Sequence, residues 1–298
     1  MLASTKPGYR WGNVLLDRIA TPIFVVRGRI VPSWNVFVGA GVAAGSAVFL
    51  FAGRHAGLAW SWLAALVVLN AVAFLVHCRC NIWLARPPRL VLLRHVVVNL
   101  LATFAAAEIA ALPVLPVLDA WSIGMALLLA FGRLGCLAMG CCHGRTAGFG
   151  PKYPWRPVAD RRNFDPEMRF SPVQACESLC LLALCAAGIA ILESPHQPGD
   201  ATVLFLSGYG IARFGLETLR GDWRHYLGRL SEAQWCSVVL VAAALGAAWA
   251  AQPWRRALWF PAAAAAAICL MVEAGIAIIS GTLRKPASQS RALPRDRP

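Results

Sequence analysis

The chain has 298 residues, 58% of them hydrophobic and 14% charged, with a formal net charge of +14. That balance excludes an ordinary soluble domain of this length. The surplus of Lys and Arg fits basic loops set against anionic lipid head groups. No aromatic-basic RNA motif or zinc-finger spacing accompanies it, so no nucleic-acid partner is expected.

Residues 1–33 form a basic N-terminal segment that holds Lys6, Arg10, Arg18, Arg27 and Arg29. The segment has no apolar core long enough for a signal peptide, so the first span is expected to stay in the mature protein. A hydrocarbon core of ~30 Å needs about 20 apolar residues per helix. Stretches 34–52, 58–76, 91–115, 117–141, 173–192, 201–219, 234–251 and 257–280 meet that length. Pro113 and Pro116 separate the third from the fourth, which predicts a tight helical hairpin. The eighth is Ala-rich and contains Glu273. Loop 143–172 carries Tyr153, Trp155, several prolines and basic residues, and is too polar to enter lipid. It is expected at the interface with its aromatics at head-group level, either capping a site or simply solvated. Residues 281–298 are basic and rich in Pro and Ser, as in a disordered tail. The fold class is therefore an all-α integral membrane protein with about eight transmembrane helices, in one polytopic domain over 34–280.

The ten cysteines do not make a disulfide framework. Cys180, Cys185, Cys236 and Cys269 fall inside spans, where cysteine behaves as a small hydrophobe. Cys78, Cys80, Cys141 and Cys142 lie near span ends. A metal reading exists for Cys136, Cys141, Cys142 and His143, but their spacing fits no CxxC knuckle, and no metal is expected.

Ionised side chains inside apolar runs are costly, face a protein interior and mark sites. Arg133 sits in such a run, and Arg213, Glu217 and Arg220 sit in another. Two buried cations imply an anion, and in a bilayer the commonest anion is a lipid phosphate. Counting spans brings the entries of spans 1, 3 and 5 and the exits of spans 2, 4 and 6 to one side. That side carries Trp34, Asn35, Arg94, His95, Gln174, Glu177, the segment from Arg133 to Arg145, and the segment from Arg213 to Arg220. Polar groups from several helices thus converge on one face, as in a membrane active site. Arg213, Glu217 and Arg220 follow an i, i+4, i+7 spacing on one helix face, so Glu217 is expected to hold both guanidiniums. Gly132, Cys136, Gly140 and Gly144 recur every four residues, which predicts close approach of a neighbouring helix.

Four segments resemble the prolipoprotein diacylglyceryl transferase family. LDAWSIGMALLLAFGRLGCLAMGCCHGR is similar to its signature through Asp119, Gly132, Arg133, Gly135, Gly140 and Gly144. RFSPVQACES supplies Pro172, Gln174 and Glu177; GYGIARFGLETLR supplies Arg213, Glu217 and Arg220; RLSEAQ supplies Ser231 and Gln234. They occur in family order over roughly 117–240, a motif core inside seven family-like spans, with the eighth span additional. The resemblance implies transfer of the diacylglyceryl group from phosphatidylglycerol to the lipobox cysteine of a prolipoprotein in the bacterial inner membrane, with no metal or cofactor. It implies Arg133 and Arg213 as a clamp on the leaving phosphate and a base for the acceptor thiol. Glu217, Arg220, Gln174, Glu177, Gly132, Cys136, Gly144 and Asp119 are the implied substrate-binding set.

The departures are specific. The family's Asn after Gly135 is Cys136, the acidic residue after Gly140 is Cys141, and the Tyr of the first helix is Trp34. No His-Gly-Gly opens the third span; His95 is the expected base, ahead of His143 and His77. These changes keep a second reading open, a catalytically inert lipid-binding or assembly protein on the same fold, and a third, thiol-redox or metal handling. A transporter is disfavoured, because no matching pair of Gly/Pro-broken spans recurs in two halves. Orientation stays open too. Only Arg54, Arg255 and Arg256 fall opposite the polar face, so the positive-inside rule places that face in the cytoplasm, whereas the family's site faces outward.

Overall fold

The computed structural model describes residues 10–84, 92–153, 167–222, 226–227 and 229–251. The expected eighth span, the C-terminal tail and Trp155 lie outside the described residues, as do the side chains of His77, Cys78, Cys80 and Arg94.

Helix α1 spans Arg10–Ile19 and is followed by a hairpin of β1 (Ile23–Val26) and β2 (Arg29–Pro32). Arg27 (φ 49°) and Gly28 (φ 75°) form its two-residue turn, and positive φ at both matches the twist of a tight hairpin. Seven helices follow: α2 Ser33–His55, α3 Trp60–Leu84, α4 Leu92–Ile109, α5 Val114–Met139, α6 Val173–Leu192, α7 Asp200–Thr218 and α8 Glu232–Ala251. A second hairpin, β3 (Tyr226–Leu227) with β4 (Leu230–Ser231), precedes α8. The two short hairpins lie in connecting segments of a mostly helical chain, consistent with the all-α membrane class.

Helices α2 to α8 coincide with seven of the eight apolar stretches. Among them α2, α5 and α6 are long and apolar enough to cross a membrane. The apolar parts of α3, α4 and α8 are shorter: Trp60–Val76, His95–Ile109 and Glu232–Ala242.

Helix α5 is central and packs on α2, α4, α6 and α7. Its run of small and branched residues explains this, because close backbone approach replaces the weak hydrophobic drive between helices in lipid. The seam with α2 is glycine-built. A Cβ on Gly124 would lie 2.6 Å from the Gly45 carbonyl oxygen, and one on Gly45 would lie 2.7 Å from that of Gly124. The four-residue repeat from Gly132 is not this seam. Gly132 faces open space, Gly140 ends α5 in the left-handed region at φ 76°, and Gly144 lies beyond the helix against Ser171. A polar tie joins α3, α4 and α5, in which Trp121 Nε1 donates to Asn70 Oδ1 at 3.0 Å and Asn70 Nδ2 to Thr103 Oγ1 at 3.1 Å.

The described parts of loop 143–172 are packed rather than solvated. Thr146 pairs with Phe170 and Lys152 with Arg169, while Gly144 pairs with Arg220 just past α7. Tyr153, expected at head-group level, is fully buried and donates to the Leu137 carbonyl at 3.0 Å, because it closes over Gly140. Helix α1 docks on the same loop. Asn13 Oδ1 accepts from the Gly150 amide at 2.9 Å, and Asp17 accepts two bonds from Arg169 at 3.0 and 2.9 Å. Ser231 and Gln234 cap α8 reciprocally: the Gln234 amide donates to Ser231 Oγ at 3.2 Å and the Ser231 amide to Gln234 Oε1 at 2.9 Å.

Candidate active site

The end of α5, the start of α6 and the end of α7 meet in a buried ionic cluster. Arg133 Nη2 lies 2.8 Å from Glu177 Oε1, and Arg213 Nε lies 3.8 Å from the same oxygen. Tyr209 Oη donates to that oxygen at 3.0 Å. Arg213 Nη2 pairs with Glu217 Oε2 at 2.6 Å. The two arginines read from the sequence as a clamp thus share one carboxylate.

Glu217 does not hold Arg220 as the helix-face spacing suggested. Helix α7 ends at Thr218, so Arg220 is off the helix and forks onto Asp222 instead, through Nε to Oδ1 at 2.8 Å and Nη2 to Oδ2 at 3.2 Å. The Asp222 carboxylate and the nearby Cys142 sulfur push the Arg220 guanidinium above its ordinary range against its burial, so it stays charged. Tyr209 was not read from the sequence, although its place four residues before Arg213 puts it on the same helix face.

Several strong hydrogen-bonding atoms in the cluster have no hydrogen-bond partner among the described residues: Arg133 Nε, Arg213 Nη1, Arg220 Nη1 and Glu177 Oε2. Buried polar atoms are normally satisfied, and each exception calls for an explanation. Three unspent guanidinium donors beside one unspent carboxylate oxygen suit a ligand that is an anion and also carries a hydroxyl.

Arg133 also lines a cavity of about 340 Å³ between α2, α3, α4 and α5. Its wall is mainly apolar, with Val38, Val42, Phe49, Val67, Phe74 and Leu128, and its size lies in the range of about 300–1,000 Å³ typical of ligand sites. Trp34, His95, Gly132, Cys136 and Cys142 line it as well. Because Gly132 has no Cβ and nothing else fills that space, the guanidinium stem stands beside open volume. His95 is buried; Asn99 Nδ2 lies 2.9 Å from its Nδ1, and the ring packs edge-on against Phe74 at 4.6 Å. The amide and the aromatic ring fix the imidazole against the cavity wall.

Three of the expected substrate-binding residues make contacts within the protein. Asp119 is near the start of α5, about 21 Å along the axis from Arg133 at 1.5 Å per residue. It accepts from the Gly199 amide at 2.6 Å and from the Thr202 amide and hydroxyl at 2.8 Å each, so it caps α7. Gln174 donates to the Cys141 carbonyl at 2.8 Å and so supports the turn after α5. Gly144 is pressed against Ser171, where a Cβ would lie 2.6 Å from a carbonyl oxygen. His143 and Cys141 do not line the cavity; His143 Nδ1 donates to the Gly144 carbonyl at 2.8 Å.

The family model of prolipoprotein diacylglyceryl transferase matches residues 95–250, which include every member of the ionic cluster. Among curated proteins, the phosphatidylglycerol–prolipoprotein diacylglyceryl transferase of Dehalococcoides mccartyi is 32% identical over 128 residues, covering 43% of this chain and 48% of that protein. A second transferase of that name from Clostridium perfringens is 32% identical over 123 residues, covering 40% and 45%. The Clostridium tetani protein is 30% identical over 129 residues, covering 43% and 50%. The chain spans about half the length of the curated relatives it matches.

Proposed function

The chain belongs to the prolipoprotein diacylglyceryl transferase family, and from that premise we propose that it transfers the diacylglyceryl group of phosphatidylglycerol to the lipobox cysteine of a prolipoprotein, as a multi-pass protein of the bacterial cytoplasmic membrane. One observation carries the reading: Arg133 and Arg213 meet at Glu177 with unspent guanidinium donors, and Arg133 opens onto an apolar cavity.

In the proposed reaction the phosphate of the lipid takes the free donors of Arg133, Arg213 and Arg220. Glu177 Oε2 accepts from a hydroxyl of the glycerol head group, and the acyl chains run along the cavity wall. The acceptor thiol gives its proton to His95. Its sulfur attacks the glyceryl methylene carbon of the diacylglyceryl group, the carbon–oxygen bond to phosphate breaks, and glycerol phosphate leaves with the bonding pair. The arginines disperse the charge that builds on the leaving oxygen, the kind of stabilisation that dominates transfer catalysis. The carboxylates formally balance the guanidiniums, so selectivity for the phosphate rests on donor geometry more than on net charge.

The test is label transfer from phosphatidylglycerol to a lipobox peptide by the purified full-length protein, with Arg133→Ala as the control expected to lower it by about 10²–10³-fold. Absence of transfer across a range of cysteine peptides sinks the reading. The substitution of Cys136 and Cys141 for the family's Asn and acidic residue favours one alternative, an inert lipid-binding or assembly protein. That alternative predicts saturable binding of anionic lipid with no turnover.

A further inference from the structure

The turn that ends α5 gathers three thiols that the transfer reaction does not use. Gly140 in the left-handed region stops the helix, and Cys142, a non-glycine residue at φ 60°, turns the chain back. Non-glycine residues at positive φ are uncommon and persist where their surroundings hold them. Here Gln174 holds the Cys141 carbonyl, and the Gly221 amide donates to the carbonyl of His143 at 3.1 Å. The result brings Cys141 and Cys142 over Cys136, one turn back on the helix. The three sulfur atoms lie within 4.8 Å of one another, and none is in a disulfide.

We propose that Cys136, Cys141 and Cys142 form a three-thiolate site for a thiophilic divalent d10 ion of the zinc type. A zinc–sulfur bond is about 2.3 Å, so thiolates sharing one ion stand about 4 Å apart, and sulfurs already within 4.8 Å reach that by side-chain rotation alone. Three thiolates around one divalent ion carry one net negative charge, and Arg133, which lines the same cavity as Cys136 and Cys142, stands on that side of the site. The thiol protons pass to solvent as the ion binds, and no oxidation state changes.

Three protein ligands leave a fourth position open, the arrangement of catalytic rather than structural zinc. Cys136 and Cys142 line the cavity that His95 and Arg133 also line. Resting on the transfer reading, the open position would take the incoming acceptor cysteine, since a coordinated thiol is deprotonated outright. The cysteines that replace the family's Asn and acidic residue would then supply a second means of making the thiolate.

The experiment uses the full-length protein in detergent, reduced and stripped with a chelator, then titrated with Co(II) and afterwards with Zn(II). The expected result is a sulfur-to-cobalt charge-transfer band that saturates at one equivalent and is bleached by Zn(II). Cys142→Ser removes or strongly weakens the band, whereas Cys185→Ser, at a buried cysteine of α6, leaves it unchanged. In the unsubstituted chain, Zn(II) protects Cys136, Cys141 and Cys142 from alkylation, mapped by mass spectrometry, and leaves the labelling of Cys236 unaltered. The proposal is overturned if the reduced protein gives no charge-transfer band, if the band survives replacement of all three cysteines, or if two of them form a disulfide on purification and take up no metal once reduced. None of these readouts involves lipid. Cobalt binding without transfer supports the site and sinks the transfer reading, while transfer by a chain that takes up no metal overturns the site alone.

Discussion

The two ends of α5 carry buried charge in opposite ways. At the Asp119 end, both carboxylate oxygens are engaged by three donors from the start of α7. At the Arg133 end, Arg133 Nε, Arg213 Nη1, Arg220 Nη1 and Glu177 Oε2 have no hydrogen-bond partner among the described residues. Asp119 and Arg133 are equally secluded, at 2% and 4% exposure, so burial alone does not separate structure from function. Satisfaction does. Asp119 closes its bonds within the protein and holds the fold, whereas the Arg133 cluster has donors left over for a ligand.

Substitutions at the two ends should therefore fail differently. Arg133→Ala is expected to lower transfer per folded molecule by about 10²–10³-fold, the loss typical of removing one donor to a developing charge. Arg133→Lys should not restore it, because an ammonium cannot reproduce the planar fork. Folded fraction must be measured alongside, since an uncompensated buried carboxylate costs about 3–5 kcal/mol. His95→Gln should cost about 10²-fold. A variant that keeps the full rate per folded molecule removes His95 as the base. Asp119→Ala should do the reverse, with a loss of about 2–3 kcal/mol in stability and an unchanged rate per folded molecule. A rate that fell with Asp119→Ala as far as with Arg133→Ala would erase the distinction.

A smaller effect reports the cationic field at the Arg133 end. Cys142 should be alkylated by iodoacetamide at a pH where an ordinary thiol is protonated, because the neighbouring S–H donors, Arg220 and Arg133 favour its thiolate. Its reactivity should fall only as pH drops through that depressed value. Cys141, pushed up by its hydrogen bonds to Cys136 and Cys142 and by burial, should stay unreactive in mild alkali. Equal pH profiles at the two cysteines would show that the turn does not single out the Cys142 thiolate.

Much of this was legible in the chain. Apolar runs located seven helices, most ends within a few residues, though α3 runs eight residues past its expected end and α4 stops six short of its own. Arg133, Arg213, Glu177 and His95 were legible as charged or polar groups in places where such groups are expensive. Partners were harder. The i, i+3 spacing joined Arg220 to Glu217 only on the assumption that the helix continued, and it stops at Thr218. Asp119 belonged to the same motif as Arg133, yet motif membership says nothing of which membrane end a residue occupies. The Gly124–Gly45 seam was hidden because a repeat of four in Gly132, Gly140 and Gly144 looked more regular. The docking of α1 onto loop 143–172 rests on Asn13 and Asp17, polar residues in a short basic segment with no pattern to mark them.

The smallest expected effect tests whether the ends of α5 are independent at all. Thr202→Val keeps the shape of the side chain and the backbone donor to Asp119, and removes only the hydroxyl donor at 2.8 Å. Asp119 Oδ1 retains the Thr202 amide and Oδ2 retains that of Gly199, so the loss should be about 1 kcal/mol, a single net hydrogen bond. Thermal unfolding in detergent would register it as a small decrease in Tm. Helix α7 carries Thr202 near one end and Arg213 near the other, so any shift of the helix along its axis would move the Arg213 guanidinium relative to Glu177. An unchanged transfer rate with the small stability loss means that α7 is held at its Arg213 end by the ionic cluster itself. A rate that tracks the stability loss means that the cap at Asp119 sets the register of the clamp, and the two ends of α5 then act as one device.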